Sequence, residues 1–195
     1  LSLAALSELP DKLLNMIGIE RINRLARFVV EMQEPNGRFH DYYWLRLLGY
    51  LPRKPVRPFQ GEALYALAKY YKVNPNVEWL MAARQAAQWQ IDRYDREGVP
   101  DPWAVQGLVE LYDVDPNPRF AETALKMGND LLEKQFGSHC YKRDPYPDYR
   151  GGFATSHPPR TITTARRMEG LIAAHWLAYR LGKNTRPFAE AILRG

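Results

Sequence analysis

Apolar residues recur at three- and four-residue intervals along most of the chain. Ala63, Leu64, Leu67, Ala68 and Tyr71 follow this spacing, which puts them on one face of a helix. The pattern predicts helices over residues 61–72, 103–113 and 163–181. Each is followed by a second helix, over residues 77–93, 118–136 and from 186 onward. Short turns separate the members of each pair: Asn74-Pro75, Asp115-Pro116 and Gly182-Lys183-Asn184. Proline cannot continue a helix and disfavours helical geometry in the residue before it. Residues 19–33 read as a further second helix, and residues 1–18 as holding the end of its partner. Phe28-Val29-Val30-Glu31-Met32-Gln33 echoes Asp130-Leu131-Leu132-Glu133-Lys134-Gln135.

The pairs are copies of one another. Residues 67–91 align with 108–132 without a gap at an offset of 41. Tyr71 matches Tyr112, Val73 matches Val114, Pro75 matches Pro116, Asn76 matches Asn117, Trp79 matches Phe120 and Ala83 matches Ala124. A looser third copy starts at Leu171, with Tyr179, Asn184 and Phe188 in the corresponding places. Each copy is a helical hairpin, a unit that needs stacked neighbours to bury its apolar faces. The expected fold is all-α, with repeated helical hairpins forming a partial α/α toroid or solenoid. Residues 1–195 then form one domain of about three and a half hairpins, part of a larger ring or assembly.

Composition narrows the function. With 46% hydrophobic and 25% charged residues the chain has the balance of a globular protein. The longest apolar stretch, residues 171–179, contains His175 and falls short of a transmembrane segment. No signal peptide is legible, and the chain opens Leu1-Ser2-Leu3 without Met. The single cysteine, Cys140, excludes an internal disulfide. The net charge of +5 comes from scattered clusters, not a basic stripe, which argues against nucleic acid. Twelve Tyr, five Trp and fifteen Pro remain to be explained. Some aromatics, such as Tyr71, Tyr112 and Trp79, sit at matched repeat positions and are expected in the core. The others gather in the connections 34–60, 94–102 and 137–162, notably from Phe39 to Trp44 and from Tyr141 to Phe153. Long connections in compact domains commonly carry function. All of these join a second helix to the next first helix, so in a ring they would surround one mouth of the central cavity.

The segment Gln33-Glu34-Pro35-Asn36-Gly37-Arg38-Phe39 resembles the Q-x-x-[DN]-G-x-[FW] segment that ends an outer helix in α/α-toroid proteins. Phe59-Gln60-Gly61-Glu62-Ala63-Leu64 opens an inner helix in a similar way. Asp101-Pro102-Trp103, Gly151-Gly152-Phe153 and Arg166-Arg167-Met168-Glu169-Gly170-Leu171 complete the likeness to six-hairpin glycosidases and the related sugar epimerases and lyases. The resemblance implies a carbohydrate-active protein (glycoside hydrolase, lyase or epimerase type) acting on an acidic or other polysaccharide. Terpenoid cyclases and prenyltransferases share the toroid, but the chain lacks their Asp-rich motif.

Candidate catalytic carboxylates are Asp41, Asp101 and Glu169, since glycosidic chemistry uses a pair of them. Asp101 before Pro102 equally fits an ordinary helix N-cap, and Asp41 fits another cap. A glutamate on an apolar inner helix must face a cavity or an arginine, such as Arg166 or Arg160. Candidate saccharide contacts are His40, Tyr42, Tyr43, Trp44 and Trp103, through aromatic faces with polar tips. His157, Arg160 and Arg166 would clamp a carboxylate or phosphate. No residue set calls for a metal or another cofactor, and His175 reads as a core histidine. The alternative function is a non-catalytic helical-repeat interaction module, with a second copy or a partner chain covering the unfinished hairpin.

Overall fold

The computed structural model describes residues 2–40, 59–137 and 146–195. Among them the chain forms nine α-helices, a single 3-10 turn and no β-strand. The helices are α1 (Ser2–Leu6), α2 (Asp11–Ile17), α3 (Ile19–Glu31), α4 (Gln60–Val73), α5 (Val77–Glu97), α6 (Pro102–Val114), α7 (Pro118–Glu133), α8 (Thr161–Arg180) and α9 (Arg186–Ile192). None is long and apolar enough to cross a membrane.

The turns that punctuate the sequence are caps. Asn76 accepts a hydrogen bond from the Glu78 amide at 2.9 Å, Asn117 from the Arg119 amide at 3.0 Å and Asn184 from the Arg186 amide at 3.1 Å. The same asparagine therefore satisfies a free helix-start amide in every copy, including the loosest. Pro118 follows Asn117 at the first helical position, where its missing N–H costs nothing.

The first helices of successive hairpins, α4, α6 and α8, lie side by side, and α1 packs on the outer flank of α4. The second helices α5, α7 and α9 each pack on their own partner, with α3 against α1, α4 and α5. Close approach depends on small residues. A Cβ added at Gly107 of α6 would meet the Leu64 side chain of α4 at 2.6 Å, and one at Gly170 of α8 would meet Pro102 of α6 at 3.0 Å. On the second layer Ala82, Ala83, Ala86 and Ala87 are all buried in α5. Leu64, Leu67, Leu108, Leu111, Ile91 and Met127 fill the space between layers, each contributing about 2 kcal/mol through burial. Trp79 is fully buried with its ring 6.0 Å from that of Tyr70. The matched Tyr71 and Tyr112 are only half-buried, at the edge of this core.

Two loop aromatics expected at the ligand-facing mouth are core residues instead. Phe39 and Phe153 are both fully buried. After α3 the chain folds back so that Gln33 pairs with Phe39, and after α7 Gln135 pairs in the same way with Phe153. The Gln33 amide nitrogen donates to the carbonyls of Gly37 at 3.2 Å and Ala82 at 2.9 Å. That of Gln135 donates to Gly151 and Ala191, each at 3.0 Å. Gly37 and Gly151 both adopt positive φ, 90° and 88°. A side chain on either would collide with a main-chain carbonyl of the next hairpin, Gln85 within α5 or Arg194 just past α9. The clamp thus ties α3 to α5 and α7 to α9, and its phenylalanine is buried beside the tie.

Candidate functional site

Where the outer layer covers one side of α4, α6 and α8, their opposite side frames a groove of about 460 Å³. Its floor is the Gln106, Val109, Glu110 and Asp113 side of α6, residues three or four apart and so on one helix face. Tyr65 of α4 forms one wall, and Glu169, Ile172, Ala173, Trp176 and Arg180 of α8 form the other.

Equivalent repeat positions carry a chain of charges along it. Lys72, Asp113 and Arg180 each follow a matched tyrosine, Tyr71, Tyr112 or Tyr179. Lys72 Nζ lies 2.7 Å from Asp113 Oδ2 and 2.5 Å from Glu110 Oε2, and Arg180 pairs with the other Asp113 oxygen. Lys69 continues the row, bonded to Glu8 beyond α1 and 3.5 Å from Glu110. Burial opposes the charge on Lys72, but hydrogen bonds to Asp113 and Glu110 outweigh it and hold its pKa above the usual lysine value. The same balance, with Glu8 as the bonded acid, raises that of Lys69. Burial pushes the Tyr65 phenol up as well.

Against this spent charge, several groove groups are unused. Glu169 is exposed and has no hydrogen-bond or ion-pair partner among the described residues. The Gln106 amide nitrogen is shut off from solvent, with no acceptor among the described residues. Trp176 leaves 57% of its surface exposed. The Trp103 ring lies tilted 5.7 Å from that of Tyr65, and its indole nitrogen is also buried without a partner among the described residues.

The candidate residues are therefore dispersed. Glu169 lines the groove, and Trp103 supports its Tyr65 wall. Asp101 caps α6, accepting from the Trp103 amide at 3.0 Å, with Gln90 at 3.4 Å and Arg93 at 3.9 Å on its second oxygen. It does not line the groove. Asp41, Tyr42, Tyr43 and Trp44 lie outside the described residues, as does Cys140. His40 is exposed with its Nδ1 3.4 Å from Glu34. His157 packs 5.5 Å from the Phe136 ring and 6.3 Å from Tyr149. Arg160 precedes the first turn of α8, and Arg166 is exposed on it. None of these three lines the groove. Their neighbour Arg167 is instead drawn inward over the Phe153 ring at 5.4 Å, and burial lowers its pKa. His175 is half-buried, its Nδ1 without a partner among the described residues and its ring 6.1 Å from Trp176. No group of three His, Cys, Asp or Glu side chains among the described residues could hold a metal.

Reading from sequence missed Tyr65, Gln106, Glu110, Asp113, Trp176 and Arg180. The signal was present: the cost of burying a charge on an apolar inner helix, applied to Glu169, applies equally to Glu110 and Asp113. Compared with family models, curated proteins and solved structures, the chain matches none.

Proposed function

We propose that the chain is a carbohydrate-active hairpin-repeat protein, its helices forming a segment of an α/α toroid or solenoid whose inner face binds a saccharide. The observation that carries this reading is the combination in one groove of the exposed Trp176 face and a Glu169 carboxylate without a partner among the described residues. Sugars present apolar ring faces edged by hydroxyls, which an aromatic platform with nearby donors and acceptors complements. Glu169 is the group free to give or take a proton. Lys69, Lys72 and Arg180 are engaged with Glu8, Glu110 and Asp113, which favours an uncharged saccharide over an acidic one. Binding rather than turnover is the minimum the reading requires.

The test titrates the purified chain with neutral and uronic-acid oligosaccharides, following tryptophan fluorescence and calorimetry. Trp176→Ala should weaken binding about tenfold, the loss of a stacked ring. Glu169→Gln should preserve binding and lower any turnover about a hundredfold or more. Absence of binding to every saccharide, or equal binding by Trp176→Ala, overturns the proposal.

A further inference from the structure

The inner helices repeat a single side-by-side interface, and α8 presents its continuation bare. Leu64 of α4 is covered by Gly107 of the following helix α6. Its counterpart in α6, seven residues before Tyr112 as Leu64 is before Tyr71, is Val105, which is also fully buried. The α8 counterpart is Ile172, which is 41% exposed. Tyr71 and Tyr112 are half-buried, whereas Tyr179 in the same position is 66% exposed. Ile172 and Tyr179 are seven apart and share one stripe of α8, which borders the groove at Ile172 and continues the flank away from α6. Trp176 stands at the edge between that stripe and the groove.

Charge specifies what fits. Along the inner layer the signs alternate: Glu8 after α1, Lys69 and Lys72 on α4, Glu110 and Asp113 on α6, Arg180 on α8. Arg180 is paired with Asp113 but its side chain stays 42% exposed, so an acid on the next helix in register would extend the row from its free side. Glu8, at the opposite end of the same row, is such an acid; its side chain is 60% exposed although bonded to Lys69. The hairpin it belongs to also carries exposed Leu13, Met16 and Ile19.

We infer that the α8 flank docks a second copy of this chain head to tail. The first hairpin of one copy packs on Ile172 and Tyr179 of the other, with Glu8 of the incoming copy against Arg180. The seam repeats the interface already made between α1 and α4, and the incoming hairpin adds a further wall to the groove. The inference is independent of what the groove binds.

Sedimentation velocity of the full chain over a range of concentrations tests it. Wild type should associate reversibly, and Tyr179→Ala, a change at an exposed ring that touches Trp176, should weaken association about tenfold with helical circular dichroism unchanged. Arg180→Glu and Glu8→Arg should each be monomeric alone, with helical circular dichroism unchanged. Mixed together they should associate, because the reversed charges meet at one seam. A wild type that stays monomeric, a Tyr179→Ala variant that associates like wild type, or folded charge variants that fail to pair when mixed would each overturn the inference.

Discussion

The side-chain amide of Gln135 donates to the main-chain carbonyl of Ala191 at 3.0 Å, across 56 residues of chain. Arg194 Nε in turn donates to the Gln135 oxygen at 3.2 Å. A fully buried glutamine thus holds the last helix α9 to the end of α7. Gln135→Ala leaves the buried Gly151 carbonyl without its side-chain donor, while the Ala191 carbonyl keeps the Arg194 amide at 3.2 Å. An unmet buried acceptor costs about 1–3 kcal/mol, and the variant should lose about that much in urea unfolding. Gln33→Ala, at the half-buried equivalent, should lose less, because the Ala82 carbonyl lies inside α5 and keeps its place in the helix ladder.

Asp101 tests cap against catalyst. Its oxygen accepts from the Trp103 and Ala104 amides at 3.0 and 3.4 Å. Asp101→Ala should cost about 1 kcal/mol of stability through loss of the cap. Asp101→Asn keeps an accepting oxygen and should recover most of it. Denaturation midpoints of the two variants make the comparison. If Asn is as damaging as Ala, the carboxylate charge matters beyond capping.

The hairpins were legible because their information is local. The spacing of Leu64, Leu67 and Tyr71, and the asparagines at 76, 117 and 184, act within one turn of helix. Phe39 and Phe153 were misjudged because their burial depends on Gln33 and Gln135 reaching a helix in the next hairpin. No periodicity within the connection encodes that. The groove was hidden for a different reason. Repeats are found by similarity, whereas Lys72, Asp113 and Arg180 occupy one position by complementarity, each chosen to oppose its neighbour.

Alkaline pH should destabilise the fold. The buried Tyr94 hydroxyl donates to Asp130 at 2.6 Å. Burial first, and then the bond to Asp130, raises its pKa far above the usual tyrosine value. Burial raises Tyr70 in the same direction. A group whose folded pKa is raised lends stability below its unfolded pKa, about 10 for tyrosine. That stability is lost as pH climbs toward the folded value. Lys69 and Lys72, also raised, add loss in the same window. Unfolding free energies should therefore fall as pH rises above about 10. Tyr94→Phe should flatten that fall while costing about 1 kcal/mol at neutral pH, the net worth of one hydrogen bond.

Gln106 separates groove function from fold stability. Its amide nitrogen has no acceptor among the described residues, while the equivalent positions carry Tyr65 and Ala173, so the repeat itself does not require an amide here. An unmet buried donor is a cost that an apolar residue of similar size avoids. Gln106→Leu should therefore leave stability unchanged or raise it by up to about 1 kcal/mol. A saccharide that relies on that donor should bind about three- to tenfold more weakly, the value of one neutral hydrogen bond. Parallel thermal melts and saccharide titrations make the measurement. A variant that gains stability and keeps full affinity would remove Gln106 from the binding site and leave the Trp176 face and Glu169 to carry recognition.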